Sequence, residues 1–213
     1  MIDHTLLRPD ASWQDAQAAC QLAAAEGCAA VCLSPRYVAQ AAAQLEGSGV
    51  KICTVIGFPH GTDAAAVKAF SAAQAVASGA DEIDMVLSLG ALRAGDDEGL
   101  GGEIRFVRSA MPGRILKVIL ETGLLEPPEL VRAALIAVAS GADFVKTSTG
   151  FQGGGATVAA VSLLRRATGG LAGIKASGGI RSLAEARAML AAGATRLGMS
   201  RTREVLAEMG DER

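Results

Sequence analysis

The sequence predicts an α/β chain closed into a (β/α)8 barrel. Three observations lead there. Eight short apolar runs have strand character, Ala-rich amphipathic segments alternate with them from end to end, and one piece of punctuation recurs. That punctuation is a glycine helix stop running straight into a strand entry: Ala-Ser-Gly-Ala-Asp at 77–81 and again at 139–143, and Ala-Ala-Gly-Ala-Thr at 191–195. A doubly wound open sheet is the alternative. The absence of a Gly-x-Gly-x-x-Gly opening turn weakens it.

The first strand is expected at 2–6, followed by an Ala-rich helix over 12–26 that closes at Gly27. Strand two, 29–33, carries Val31, Cys32 and Leu33 and stops at Ser34-Pro35, with a helix over 35–45 behind it. Strand three, 51–58, is rich in Ile, Val and Cys and ends at Pro59; the helix over 63–78 ends at Gly79. Strands four and five, at 82–87 and 115–121, flank a helix placed at 103–110. A helix over 128–140, stopped by Gly141, leads into strand six at 144–149 and a helix over 157–167. Strand seven at 172–177, a helix over 183–192 closed by Gly193, and strand eight at 196–200 complete the set.

Half of the 213 residues are hydrophobic, enough for a sizeable core, and no linker divides the chain, so one domain over 1–213 is expected. Net charge is −2, and the basic residues are scattered, which argues against nucleic acid and anionic membranes as partners. No uncharged apolar run approaches the ~18 residues of a membrane span, and the start has no signal-peptide pattern, so a soluble cytoplasmic protein is expected. Cys20, Cys28, Cys32 and Cys53 lack the spacing and histidines of a zinc site and read as reduced core thiols. His4 and His60 are too few and too far apart for a metal pair or a triad base; His4 reads as a satisfied rim histidine. Neither a metal nor a cofactor is expected.

Lysine is almost never fully buried unless its charge is matched or removed. Yet Lys117, Lys146 and Lys175 each lie inside a strand-like run, each 29 positions after the last. Alternation places Phe144, Lys146 and Ser148 on one strand face, and Glu82, Asp84 and Val86 on one face of another. With Asp3, Cys32, Thr54 and Ser200 on the remaining strands, these polar positions are expected to converge at the carboxyl rim, where barrels of this kind carry catalysis. A cavity holding several amines and a carboxylate favours imine chemistry: an ammonium neighbour and desolvation free one lone pair for attack on a carbonyl. The residues alone leave the three lysines nearly interchangeable. Glycine turns after strands six and seven, at Gly150 and Gly178-Gly179, and Gly198 at the close of strand eight, with Arg181 and Arg201 beside them, suggest a phosphate cradle. A phosphate-binding barrel isomerase and a non-catalytic sugar-phosphate sensor are the competing functions.

The blocks at 2–7, 54–59, 81–86, 116–122, 141–151, 173–181 and 193–198 closely resemble deoxyribose-phosphate aldolases, class I enzymes on a TIM barrel. The block around Lys146, Phe-Val-Lys-Thr-Ser-Thr-Gly-Phe, carries most of that resemblance. It implies reversible cleavage of 2-deoxy-D-ribose 5-phosphate to D-glyceraldehyde 3-phosphate and acetaldehyde. It also ranks the lysines: Lys146 forms the Schiff base, Lys175 perturbs it, and Asp84 moves protons. Substrate-binding positions expected on the chain are Asp3, Thr5, Cys32, Lys117, Thr147, Gly150, Gly178, Gly179, Gly198, Ser200 and Arg201. The partners expected are the sugar phosphate and acetaldehyde, with a homo-oligomer left open. Two departures stand out: little lead-in before the first strand, and Ser200-Arg201 where a small serine/glycine-type pair is usual.

Overall fold

The computed structural model describes residues 1–211. Eight parallel strands, β1 (Ile2–Leu6), β2 (Ala30–Leu33), β3 (Lys51–Ile56), β4 (Glu82–Val86), β5 (Ile115–Ile119), β6 (Phe144–Lys146), β7 (Gly173–Ser177) and β8 (Arg196–Met199), pair in sequence order, and β8 closes on β1. The helices are α1 (Trp13–Ala25), α2 (Val38–Gln44), α3 (Ala65–Ala77), α4 (Leu89–Ala94), α5 (Asp97–Ser109), α6 (Pro127–Ala139), α7 (Val158–Thr168), α8 (Leu183–Ala191) and α9 (Thr202–Asp211). This is the expected (β/α)8 barrel.

Local chemistry explains the helix starts. Ser12 and Asp15 form a reciprocal capping box on α1, as do Ser182 and Glu185 on α8, so two orphan amide donors are satisfied at each end. The repeated glycine stops work as the punctuation suggested. Gly79, Gly141 and Gly193 sit at φ 104°, 94° and 111°, a backbone that side-chain-bearing residues rarely adopt.

Two regions differ from expectation. The segment 35–45 opens with a tight turn at Pro35–Tyr37 before α2. The stretch 89–102, ahead of the helix expected over 103–110, holds α4 and the first half of α5. Asp96 caps α5 by accepting from the Gly99 N–H, and Leu100, Ile104 and Val107 supply a buried stripe that outweighs the glycines. Strands β3, β5 and β6 also end two or three residues early, because the chain beyond them turns into rim loops.

The core divides in two. The larger apolar cluster fills the layer between sheet and helices, while a small one, Leu7, Ala30, Cys32, Cys53 and Val55, fills the barrel interior on the β1–β3 side. The β4–β8 side of the interior is ionic instead. Among the described residues no helix is long and apolar enough to cross a membrane.

Candidate active site

Strand register assembles the ionic interior. Lys146 pairs with Lys175 across β6 and β7, and Asp84 pairs with Lys117 across β4 and β5. Asp84 is the hub: its Oδ2 accepts from Lys146 Nζ and from Lys175 Nζ, each at 2.7 Å, and its Oδ1 accepts from Lys117 Nζ at 2.8 Å. Lys175 also reaches Asp3 Oδ2 at 2.5 Å, and Lys117 reaches Glu82 Oε2 at 2.6 Å. Nearer the barrel floor, Arg196 lies 2.6 Å from Asp3 Oδ1 and 3.3 Å from Glu82 Oε1, with its guanidinium over the Phe144 ring. Four cations therefore meet three carboxylates, all of them buried or nearly so. Fully ionised, the cluster holds one surplus positive charge.

The electrostatics follow from that arrangement. Burial would raise the Asp84 carboxyl, but Lys117, Lys146 and Lys175 outweigh it and hold the group well below the usual carboxylate range. Burial likewise opposes the charged form of Lys175, yet Asp3 and Asp84 keep that amine above an ordinary lysine, and Lys117 is raised still more clearly by Asp84, Cys53, Asp3 and Glu82. The expected pairing of ammonium with ammonium is thus mediated by an anion. Lys146 and Lys175 share one Asp84 oxygen.

A cavity of about 360 Å³ opens above this cluster, and Lys146 is the one amine of the three on its wall. Thr5, Gly150, Gly178, Gly179, Gly198, Ser200 and Arg201 line it as expected. Arg8, Arg181, Thr149 and Phe151 line it too. Phe151 meets Phe58 edge-on at 5.2 Å, and Gln152 donates to the Pro59 carbonyl, so the β3 and β6 loops join on one side of the mouth. The β6 and β7 loops press together just as closely. A Cβ on Gly155 would stand 2.3 Å from the Gly178 carbonyl oxygen, so only glycine fits there.

Other expected contacts are relocated. Asp3 and Lys117 are fully buried in the ion cluster and do not reach the cavity wall. Cys32 is buried in the apolar half of the interior, in register with Cys53, whose thiol donates to Asp84 Oδ1 at 3.2 Å. Thr147 and Thr54 have the opposite strand parity from Lys146 and Cys53. The Thr147 hydroxyl is spent on the Ser177 N–H and carbonyl, and that of Thr54 on the Leu33 carbonyl, so both latch neighbouring strands together. All four cysteines are free and buried. His4 is satisfied by the Thr202 hydroxyl at 2.9 Å. Two trios, Cys32-Cys53-Asp84 and Asp3-Cys53-Glu82, are close enough to hold a cation, but their carboxylates already accept from ammonium or guanidinium groups. A metal ion would have to displace lysine there.

Glu82, Arg196 and Glu121 were not anticipated as part of the site. Glu82 shares its strand face with Asp84, and Arg196 shares that of Gly198 and Ser200, so alternation alone could have found them. Glu121 lies beyond the end of β5, although in the strand expected over 115–121 it has the same parity as Lys117. It is fully buried, and its carboxylate accepts from both the N–H and the hydroxyl of Thr149.

Comparison with known proteins shows the family and agrees with the fold. A family model described as DeoC/LacD family aldolase matches residues 1–208. The deoxyribose-phosphate aldolase of Mycobacterium avium (strain 104) is 53% identical, over 98% of this chain and 95% of that protein. That of Geobacillus sp. (strain WCH70) is 49% identical over 94% and 90%. Among solved structures, a deoxyribose phosphate aldolase from Aeropyrum pernix, described as tetrameric, superposes with a TM-score of 0.90 at 34% identity, covering 100% of this chain and 90% of that one. With a matching model over nearly its whole length and relatives near half identity, the chain belongs to the DeoC/LacD family of aldolases.

Proposed function

We propose that the chain catalyses reversible aldol cleavage of 2-deoxy-D-ribose 5-phosphate to D-glyceraldehyde 3-phosphate and acetaldehyde, with Lys146 as the amine that forms the Schiff base. One observation carries the assignment of the amine. Of three buried interior lysines bonded to one carboxylate, Lys146 alone lies on the cavity wall.

Neutral Lys146 adds to the aldehyde carbon of the open-chain sugar, and loss of water leaves an iminium that draws electrons from the carbon–carbon bond two atoms away. A base takes the proton of the hydroxyl on the far carbon, that bond breaks, and glyceraldehyde 3-phosphate departs. The remaining enamine takes a proton at its terminal carbon, and hydrolysis returns acetaldehyde and the free amine. Asp84 and Lys175, joined to Lys146 through a shared oxygen, are the groups we assign to that proton traffic. Gly150, Gly178, Gly179, Gly198, Ser200 and Arg201 would hold the phosphate, so that binding remote from the reacting carbon positions it. The reading is tested by assaying release of glyceraldehyde 3-phosphate and by reducing the protein with borohydride in the presence of acetaldehyde. Turnover with an alkylated lysine supports it; no turnover and no adduct overturns it.

The surplus charge makes a signed prediction for Lys175. A neutral Lys146 discharges the cluster's extra positive charge. Lys175→Met removes a cation that Asp3 and Asp84 hold above its ordinary value, leaving three cations against three carboxylates and no surplus charge for a neutral amine to discharge. The pH at which kcat/KM rises is expected to move upward by about 1 or more, with a fall in turnover at neutral pH. A pH–rate profile identical to wild type would remove Lys175 from the mechanism.

Arg201 follows β8 and lines the cavity. If its guanidinium holds the phosphate through a charge-assisted bond, Arg201→Ala should lower kcat/KM on deoxyribose 5-phosphate by about 10-fold or more and leave unphosphorylated deoxyribose almost unaffected. Equal effects on both sugars would return Arg201 to the solvated surface.

A further inference from the structure

Glu121 is the one non-glycine among the described residues with left-handed backbone, at φ 55° and ψ 61°. A side chain opposes that conformation through contact of its Cβ with the backbone, so it persists only where surrounding bonds hold it. The Glu121 carbonyl accepts from the Leu124 N–H at 2.9 Å, and the hydrogen bonds of its side chain lead to one residue. Both Glu121 carboxylate oxygens accept from the Thr149 N–H, at 3.3 and 3.2 Å, and Oε2 accepts from the Thr149 hydroxyl at 2.5 Å. The Thr149 oxygen in turn accepts from the Phe151 N–H at 3.0 Å. Thr149, Gly150 and Phe151 are all on the cavity wall, three to five residues beyond Lys146.

A hydroxyl has one proton to give and two lone pairs. Thr149 gives its proton to Glu121 and one lone pair to Phe151, so what remains at the cavity wall is an acceptor only. The buried carboxylate, which cannot donate while ionised, enforces that polarity.

We propose that Glu121 is a positioning residue for the aldol reaction: it fixes the Thr149–Phe151 turn and commits the Thr149 hydroxyl to accept a hydrogen bond from a hydroxyl of the open-chain sugar. The inference rests on the aldol reading above. Acetaldehyde has no hydroxyl to offer, so Glu121 bears on cleavage of the sugar far more than on imine formation with the two-carbon aldehyde.

Two variants test it with two readouts. Glu121→Gly removes the carboxylate but suits the left-handed backbone, so a loss cannot be blamed on the turn's geometry; Glu121→Gln keeps an acceptor but adds a donor. For Glu121→Gly, kcat/KM for deoxyribose 5-phosphate cleavage is expected to fall about 30-fold or more, and borohydride trapping of acetaldehyde on Lys146 less than about 3-fold. Glu121→Gln should lie between Glu121→Gly and wild type. In a Thr149→Val background, Glu121→Gly should lower cleavage by no more than a further 3-fold or so, because the group it acts through is gone. The proposal is overturned if cleavage and trapping fall together, which is the mark of a merely structural role, or if both variants cleave within about 3-fold of wild type. Failure of the aldol reading itself would be distinct. Wild-type protein would then neither cleave the sugar nor trap acetaldehyde.

Discussion

Lys146→Ala is expected to lose about 10⁴-fold or more of turnover, since removing a covalent nucleophile deletes the pathway and does not merely weaken a contact. The same substitution should leave the fold intact. Lys146 is one of four cations facing three carboxylates, so its removal balances the cluster and Asp84 keeps Lys117 and Lys175. The variant should therefore unfold cooperatively near the wild-type midpoint, a comparison that thermal or denaturant melting makes directly. In the wild type, borohydride with acetaldehyde should inactivate the enzyme and place the ethyl group on the peptide containing Lys146. Mapping the label chiefly to Lys117 or Lys175, or finding substantial turnover in Lys146→Ala, would sink the assignment.

Much of this was legible in the chain because a parallel barrel converts sequence periodicity into geometry. Residues two apart on a strand face the same way, and equivalent positions on adjacent strands fall side by side, so Lys146 and Lys175 meet in register while Lys117, paired with Phe144, lies two residues lower on the same interior face. Reading polarity without parity produced the errors. Thr54 and Thr147 are polar and near strand ends, but each is one residue off the interior-facing set, and each hydroxyl serves a neighbouring backbone. Burial of lysine is also an incomplete guide. Lys68 of α3 is fully buried yet not part of the cavity wall, donating at 2.9 Å to the Gly61 and Val86 carbonyls and pairing with Glu103 at 2.7 Å. It ties the β3 loop to the end of β4, and its Ala-rich surroundings resemble those of any helix. Glu121 escaped notice for a different reason. Its role depends on how the loops after β5 and β6 meet, and rim loops have no period from which such contacts can be read.

Asp84→Asn should be the most damaging substitution in the interior for stability and among the most damaging for activity. It preserves shape but leaves four cations against two carboxylates, with three ammonium groups around a neutral amide. Breaking a buried ion pair from one side costs about 3–5 kcal/mol, and here the anion serves three partners, so a loss at the upper end of that range is expected at pH 7. The pH dependence has a definite sign. Because the Asp84 carboxyl is held below its ordinary value in the folded protein, its contribution is complete above the unfolded value near ~3.9 and declines as pH falls toward the folded one, so the gap between wild type and variant should narrow only in acid. Exchange of the acetaldehyde methyl protons should slow by about 10²–10⁴-fold if Asp84 moves the enamine proton. Removing the anion also raises the cluster's surplus positive charge from one to two, so residual activity should begin at lower pH, opposite to the shift expected for Lys175→Met. Denaturant titrations at pH 7 and pH 3, set beside the pH–rate profiles of both variants, decide the matter. Shifts in the same direction, or an Asn variant as stable as wild type at pH 7, would show that the four-against-three charge balance does not govern this site.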